Sequence, residues 1–334
     1  MAHPKRCITT WSLPLIIIGL IAGCGQPAQE QPSAQEENPM QETESRNIIA
    51  NNAFFYYADL DTAWRFYGEV LGLETIADYG FAKIMRIAET SYLTLVDANS
   101  GLKSADQPKT VALALVTDEL DGWYDYLVTQ DVAMKSSSYS PTEGSPHDGF
   151  VAVDPEGYYL EFERFNHHPE NENLMPILDG LVPVYPVAGS TTSRPARLGI
   201  KATVLWLYSN DVKAMSRFYE DSMGFGVTVD QGWTLIHATS PSGFIGPVDG
   251  AKGMHTWTQE KAVMVSLFTT DLEAWFAHLK NQSAFELREE GIVEETRAGA
   301  WVFVGTDPDG YLIEFDEFFE AEGNEALLAA LTKS

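Results

Sequence analysis

Hydrophobic positions in the first half of the chain switch between helical and strand spacing. Apolar residues recur every three or four positions between residues 62 and 71, which predicts a helix, Thr62–Leu71, that Gly72 ends. A strand of aromatic and small residues, Ala53–Tyr57, precedes this helix. The elements predicted after it are strands Phe81–Ile87, Ser91–Val96 and Thr110–Val116, a helix Leu120–Thr129, and strands around Phe150 and Tyr158. The order strand, helix, strands therefore occurs twice before residue 166.

The same pattern returns in the second half of the chain. The matching landmarks are Asp59 with Asp211 and Glu119 with Asp271, each pair 152 residues apart, and Asp154 with Asp307, 153 residues apart. Three landmarks at nearly one offset indicate a duplicated domain.

A nine-residue motif marks the end of each copy, at residues 154–162 and 307–315. It begins with Asp-Pro, an acidic residue and Gly, which is typical of a turn, and continues with an apolar and aromatic run that predicts a strand. Each run carries one carboxylate, Glu161 or Glu314. Such a carboxylate is either a ligand or base that lines a cavity, or the polar end of an edge strand.

The charge of the chain restricts its partners. The 334 residues have a formal net charge of -27 at pH 7. This acidity argues against binding to nucleic acid, which requires a basic surface, and favours a soluble, self-repelling surface.

The N-terminus has the pattern of a targeting signal. Lys5 and Arg6 precede an apolar segment, Trp11–Ile21, that is too short to span a membrane. Residues 21–24, Ile-Ala-Gly-Cys, resemble the cleavage box of bacterial lipoproteins, which implies that Cys24 is lipidated. A plain secretory signal with an incidental Cys is the alternative. Gly25 follows the Cys where inner-membrane retention would use Asp, so the resemblance implies an outer-membrane lipoprotein facing the periplasm, with the lipid as its only membrane contact.

The sequence between this signal and the first strand is rich in Gln, Glu, Pro and Ser, which predicts a disordered tether. Cys7 would leave with the signal, so the mature domains would contain no free thiol, disulfide or zinc-thiolate site. We divide the chain into a signal peptide (1–23), a tether (24–47), a first domain (48–166), a linker (167–199), a second domain (200–320) and a C-terminal tail or helix (321–334). Within the linker, Met175–Val187 is apolar enough to pack along the surface between the domains.

Asp59–Leu73, which reads Asp-Leu, then Phe-Tyr, then Leu-Gly-Leu, resembles the signature of the vicinal oxygen chelate superfamily. That superfamily includes glyoxalase I, extradiol dioxygenases and bleomycin-binding proteins. The two Asp-Pro strands resemble its last strand, and the matches cover residues 50–165 and 200–320. The resemblance implies an α+β fold of two tandem domains, each of paired βαβββ modules forming an open cup-like sheet around a central site.

The resemblance also implies a metal site, with a ligand, often His, on the first strand of each module and a Glu on the last strand. The residues at these positions are Asn52, Ala112 and Glu161 in the first domain and Val204, Met264 and Glu314 in the second. Neither set contains an imidazole, and one carboxylate per set is too little to hold a divalent ion tightly. We therefore expect neither domain to bind a metal or another cofactor.

The cups are instead predicted to bind a small organic molecule. Alternate residues of a strand share a face, so Phe54 and Tyr56 face the cup if Asn52 does. Aromatic walls with carboxylates at the edge suit a planar or cationic ligand. The predicted ligand-binding residues are Asn52, Phe54, Tyr56, Glu161, Trp206, Tyr208 and Glu314. The alternative is that the aromatic residues are ordinary core.

The two cups are expected to differ, because Asn52 corresponds to Val204 and Ala112 to Met264. We expect at most one working site, in the first domain, where Asn52 would lie opposite Glu161.

Histidines are absent from the ligand positions, and no catalytic residue is identified. His147 lies in a loop from which it can reach the mouth of a cup, and His237 lies on a strand from which it can face one. Each could be a general base, although a structural role is more common.

Three functions remain open. The first is a metal-free small-molecule-binding protein anchored to the cell envelope by lipid. The second is an enzyme of the same superfamily, a lyase or dioxygenase, that uses Asn52, Glu161 and water. The third is a protein-interaction module without a ligand. The missing imidazoles favour the first and third, and the aromatic cup positions favour the first.

Overall fold

The computed structural model of the protein describes residues 47–136 and 138–332. The predicted signal peptide, Cys24 and nearly all of the tether lie outside these residues. The strands are β1 (Ile48–Tyr57), β2 (Glu74–Asp78), β3 (Ala82–Ala88), β4 (Ser91–Asp97), β5 (Val111–Val116), β6 (His147–Val153), β7 (Tyr159–Phe165), β8 (Ala202–Ser209), β9 (Val227–Asp230), β10 (Leu235–Ser240), β11 (Gly243–Asp249), β12 (Val263–Thr269), β13 (Glu286–Leu287), β14 (Val293–Glu295), β15 (Ala300–Thr306) and β16 (Leu312–Phe318). The α-helices are α1 (Leu60–Arg65), α2 (Leu120–Thr129), α3 (Met175–Gly180), α4 (Val212–Arg217), α5 (Leu272–Leu279) and α6 (Glu325–Leu331).

The helices form close to where the sequence pattern predicts them, although α1 begins at Leu60 and not at Thr62. The predicted helix Leu120–Thr129 is confirmed residue for residue as α2. Asp59 caps α1, because its Oδ1 accepts a hydrogen bond of 3.0 Å from the Thr62 amide, and Asp211 caps α4 in the same way. Both helices continue as a single π-helical turn, Phe66–Val70 after α1 and Phe218–Ser222 after α4. The duplication therefore extends to an uncommon backbone feature.

The strands form four modules: β1–β4, β5–β7, β8–β11 and β12–β16. A nine-stranded sheet joins the first and fourth modules in the order β13-β15-β16-β12-β1-β4-β3-β2, with β14 beside β15. A seven-stranded sheet joins the second and third modules in the order β6-β7-β5-β8-β11-β10-β9. The α+β class, with paired modules in open cup-like sheets, is confirmed.

The partners within each pair of modules differ from those expected. Strand β1 pairs antiparallel with β12, and β5 pairs antiparallel with β8. Strands β5 and β12 occupy equivalent positions in the repeat, so the sequence pattern does not distinguish which of the two pairs with β1. The set of Asn52, Ala112 and Glu161 is therefore wrong as a group, because Asn52 lies on the first sheet and the other two on the second. The set of Val204, Met264 and Glu314 is divided in the same way.

The repeated Asp-Pro motif ties the two sheets together. Gly157 and Gly310 have φ of 97° and 80°, so the turn uses the backbone freedom that glycine provides. The Tyr158 hydroxyl accepts a hydrogen bond of 2.8 Å from the Tyr56 amide of β1 in the other sheet. Tyr311 makes the equivalent link, because its hydroxyl donates to the Tyr208 carbonyl of β8 over 3.0 Å.

A short helix closes one end of each cup. Leu327 of α6 packs with Ala50 and Phe268 of the first sheet, and Leu174, next to α3, packs with Val204 of the second. The predicted linker therefore contains a segment that fills the second cup, where we had expected Met175–Val187 to lie along the surface between the domains. Among the described residues, no helix is long and apolar enough to cross a membrane.

Candidate functional site

The first cup contains a cavity of about 230 Å³. Asn52, Phe54 and Tyr56 line it from β1, and Glu314 lines it from β16. Because β1 pairs with β12 in the register Phe54 to Met264, the Met264 side chain faces the same cavity. Four of the predicted ligand-binding residues thus lie in one cup, although Glu314, and not Glu161, is opposite Asn52.

A hydrogen-bonded polar floor crosses four strands of this cup. The Asn52 amide donates to Thr94 Oγ1 over 2.9 Å and to Ser266 Oγ over 3.2 Å. The Ser266 hydroxyl donates to Asp316 Oδ2 over 2.7 Å. Strand alternation then places Glu314 beside Asp316, on the same face of β16. The floor positions polar groups at the centre of a cavity whose walls are mainly apolar.

The carboxyl pair on the floor retains a proton. Burial raises the pKa of Glu314 well above its usual value, and the charge of Asp316 and a hydrogen bond to it raise this pKa further. Burial also raises the pKa of Asp316 to about 6, although hydrogen bonds from Ser266 and Glu314 partly offset this increase. At neutral pH the protonated Glu314 therefore donates to an ionised Asp316, and the pair carries one negative charge.

The mouth of the first cup is bounded by an arm between β13 and β15. Arg297 of this arm forms a two-pronged ion pair with Glu295, with both distances 2.9 Å, and its guanidinium lies 4.0 Å from the ring centre of Phe81. Phe81 belongs to the first module, so this contact spans the cup from the fourth module to the first. Arg288 and Arg297 were not predicted as site residues, because a charged stretch without hydrophobic periodicity gives no indication of what it faces.

The second cup contains a cavity of about 250 Å³. The remaining predicted ligand-binding residues, Glu161, Trp206 and Tyr208, line it. Glu163 also lines it, as expected from its two-residue spacing from Glu161 on one strand face, and Trp233 lines it without having been predicted.

His147 and Glu163 form an ion pair at the edge of the second cup. Nδ1 of His147 lies 3.1 Å from Oε1 of Glu163, whose side chain is only 3% exposed. The hydrogen bond to Glu163 raises the pKa of His147 to about 9, so the imidazole is protonated at neutral pH. Burial and the nearby charge of Glu163 raise the pKa of Glu161 to about 8. The prediction that His147 reaches a cup is confirmed.

His237 does not face a cup. Its side chain is fully buried, lies 5.6 Å from the ring of Tyr219 beside α4, and hydrogen-bonds the Phe225 carbonyl through Nδ1. The face of β10 that carries His237 is therefore the helix-covered face, and burial lowers the pKa of the imidazole. The proposed role as a general base in a cup is wrong for this residue, because it lies outside both cavities.

The donors in the cups do not fit the metal site that the resemblance implied. With the observed pairing, the family positions in the first cup hold Asn52, Met264 and Glu314, and those in the second hold Ala112, Val204 and Glu161. The first cup thus offers one carboxylate, one amide and one thioether, and the second offers one carboxylate and two aliphatic side chains. Both are poor ligand sets for a divalent ion. Across residues 47–136 and 138–332, no group of three His, Cys, Asp or Glu side chains could hold a metal ion.

Comparison with known proteins agrees with this architecture. The model of the Glyoxalase/Bleomycin resistance protein/Dioxygenase superfamily matches residues 49–162 and 199–315. The chain therefore belongs to this superfamily and carries its domain twice, which confirms the resemblance and the internal duplication.

Solved structures of similar fold include two that match most of this chain and nearly all of their own. Glyoxalase I from Zea mays is 14% identical with a TM-score of 0.55, and the match covers 86% of this chain and 96% of that one. A candidate dioxygenase from Bacillus subtilis subsp. subtilis strain 168 is 12% identical with a TM-score of 0.56, with the same coverage of 86% and 96%. At these identities the likeness concerns the fold alone. No curated protein matches the chain.

Proposed function

We propose that this protein binds a small organic molecule in its first cup without a metal ion. The observation that carries the proposal is the cavity of about 230 Å³, which has aromatic walls and a hydrogen-bonded floor of Asn52, Ser266, Asp316 and Glu314. Concave, mainly apolar cavities with a few convergent polar groups are the usual form of small-molecule sites.

The walls and floor indicate the chemistry of the ligand. Phe54 and Tyr56 offer flat faces to a planar compound, and such contacts bury a large apolar area. The single charge shared by Glu314 and Asp316 favours a ligand that donates a hydrogen bond or carries a weak positive charge. A planar molecule with one such group fits both features.

Binding can be tested with equivalent substitutions in the two cups. Phe54 and Trp206 are 152 residues apart and occupy the same position of β1 and β8. A thermal-shift panel of planar aromatic alcohols, amides and amines should identify compounds that stabilise the mature protein. For a compound in the first cup, Phe54→Ala should weaken binding by about 2–4 kcal/mol if this ring is a central anchor, and Trp206→Ala should not. No stabilisation by any compound would favour the protein-interaction module.

Metal independence is a separate part of the proposal. Protein purified without chelators should contain well under one equivalent of Zn, Fe, Mn, Ni or Co per chain by elemental analysis, because neither cup supplies enough donors. One equivalent of metal that is lost on Glu161→Gln or Glu314→Gln would revive a lyase or dioxygenase function.

We also propose that lipid on Cys24 anchors the protein in the outer membrane, facing the periplasm. The cleavage box and the polar stretch that follows it support this proposal. Cys24→Ala should release the protein from the membrane fraction or leave an uncleaved precursor. Wild-type processing and fractionation of this variant would contradict it.

A further inference from the structure

Each cup contains a pair of carboxyl groups two residues apart on one strand, but the hydrogen-bond partners of the two pairs differ. In the first cup, Asp316 accepts from Ser266, and Glu314 is hydrogen-bonded to Asp316. In the second cup, Oε1 of Glu163 is bound to His147, but its other oxygen, Oε2, is buried and receives no hydrogen bond from any described residue. A buried carboxylate oxygen without a donor is costly, so the second cup has an acceptor that a ligand could satisfy.

Glu161 supplies a second carboxyl group to the same wall. It lies two residues before Glu163 on β7, so both side chains project from one face of the strand. Both carboxyl groups line the cavity and form an acidic pole in it.

The other walls of this cavity are largely aromatic and aliphatic. Trp206 and Tyr208 of β8 and Trp233, before β10, line it. The charge of His147 is taken up by Glu163, and Lys252, which also lines the cavity, lies 3.7 Å from an oxygen of Asp249. Lys135, a further lining residue, is exposed to solvent. Aromatic faces beside the Glu163 carboxylate attract a positive charge through the ring quadrupole and by Coulomb attraction.

We propose that the second cup is a separate binding site for an organic ammonium ion that carries N–H groups. The ammonium donates to Oε2 of Glu163 and to the carbonyl oxygen of the neutral Glu161 carboxyl group, and its apolar part contacts the indoles of Trp206 and Trp233. The N–H groups matter because the free carboxylate oxygen needs a donor as well as a positive charge. This site is independent of ligand binding in the first cup.

Selectivity of the unaltered protein is the first test. The measurement is isothermal titration calorimetry of the mature protein with phenethylammonium, its N,N,N-trimethyl derivative and 2-phenylethanol. The trimethyl derivative keeps the charge and the ring but has no N–H group, and the alcohol keeps the ring without the charge. We expect phenethylammonium to bind at least about tenfold more tightly than either of the others, since hydrogen bonds to charged groups have this magnitude. Equal affinity for the alcohol, or no binding of the ammonium, would overturn the proposal.

Variants then locate the site. Glu163→Gln keeps the shape of the side chain, removes its charge and should weaken phenethylammonium binding about 10- to 100-fold. Glu161→Gln exchanges a neutral carboxyl group for a neutral amide and should weaken it less. Glu314→Gln, the matched change in the first cup, should leave that affinity unchanged. If only Glu314→Gln weakens binding, the ammonium site is in the first cup and this proposal is wrong. Failure of the first-cup proposal would instead appear as no effect of Phe54→Ala on any planar compound.

Discussion

At the residue scale, the repeated Asp of the Asp-Pro motif acts in folding and not in a cup. Asp154 accepts hydrogen bonds at Oδ2 from the hydroxyls of Tyr57 and Tyr67, over 2.7 and 3.1 Å. Its Oδ1 accepts from the amides of Glu156 and Tyr158. One carboxylate thus fixes the turn and satisfies two buried tyrosines.

Asp154→Ala should lower the free energy of unfolding by about 3 kcal/mol, because it leaves the two buried hydroxyls and two amides without this acceptor. Tyr67→Phe removes one of the four bonds and should cost about 1 kcal/mol. Urea unfolding of both variants measures the difference. Equal stability of Asp154→Ala and wild type would show that these hydrogen bonds contribute little.

At the element scale, α3 and α6 are equivalent helices, each of which closes one end of a cup. Asn171 precedes α3 and Asn324 precedes α6. The two asparagines are 153 residues apart in the sequence, and both are fully buried. The Asn324 amide donates to three backbone carbonyls, and the Asn171 amide donates to two. The duplication therefore includes the segment that we predicted to be a linker.

Leu174→Ala and Leu327→Ala should each destabilise the protein by about 2–5 kcal/mol, because both side chains are fully buried and leave a cavity. Their effects on binding should differ. Leu327→Ala loosens the closed end of the first cup and should weaken a first-cup compound, and Leu174→Ala should not. Thermal unfolding and calorimetry on the same preparations would test this, and identical binding losses in both variants would contradict it.

At the scale of the whole molecule, each cup requires both halves of the chain. Strand β1 has β12 as its antiparallel neighbour, and β5 has β8. A cut in the linker between β7 and β8 leaves both sheets without half of their strands.

Residues 47–187 and 188–334, expressed alone, should therefore not be folded monomers, because edge strands that are normally paired become exposed. Each should aggregate or pair with a second copy of itself. Co-expression should restore a one-to-one complex with the thermal stability of the intact chain. A stable monomer of either half in size-exclusion chromatography would contradict the observed pairing of modules.

The buried carboxyl groups also set the pH dependence of the whole molecule. Burial raises the pKa of Asp307 to about 7, beside values of about 8 for Glu161 and about 6 for Asp316. The folded protein holds these protons at a pH where the unfolded chain has lost them, so stability rises as pH falls through these values. His147 acts in the same direction, since its raised pKa stabilises the protein below about 9.

The melting temperature should therefore increase as the pH is lowered from about 8.5 to about 6.5. Below that range the gain per pH unit should become smaller, because burial lowers the pKa of His255 to about 4 and also lowers that of His237, and such histidines do not take up the protons that the unfolded chain accepts. Differential scanning calorimetry across this range is the measurement. A melting temperature that falls steadily between pH 8.5 and 6.5 would be inconsistent with buried, protonated carboxyl groups.

The sequence by itself determined the elements, the duplication and the faces of the strands. The spacing of apolar residues located α2, and the alternation along β1 and β8 identified Phe54, Tyr56, Trp206 and Tyr208 as cavity residues. These features are local, since a strand or helix fixes the direction of each side chain relative to its neighbours.

The tertiary structure alone decided which residues share a cup. Strands β5 and β12 have equivalent patterns, so the choice of β12 as the partner of β1 is made by packing and by hydrogen bonds between distant segments. That choice places Asn52 with Glu314 and leaves Glu161 with Trp206. It also extends the polar floor of the first cup across two modules, because the Asn52 amide of β1 donates to Ser266 Oγ of β12 over 3.2 Å only when these strands pair. Long-range contacts of this kind have no signal in the local pattern of a duplicated sequence.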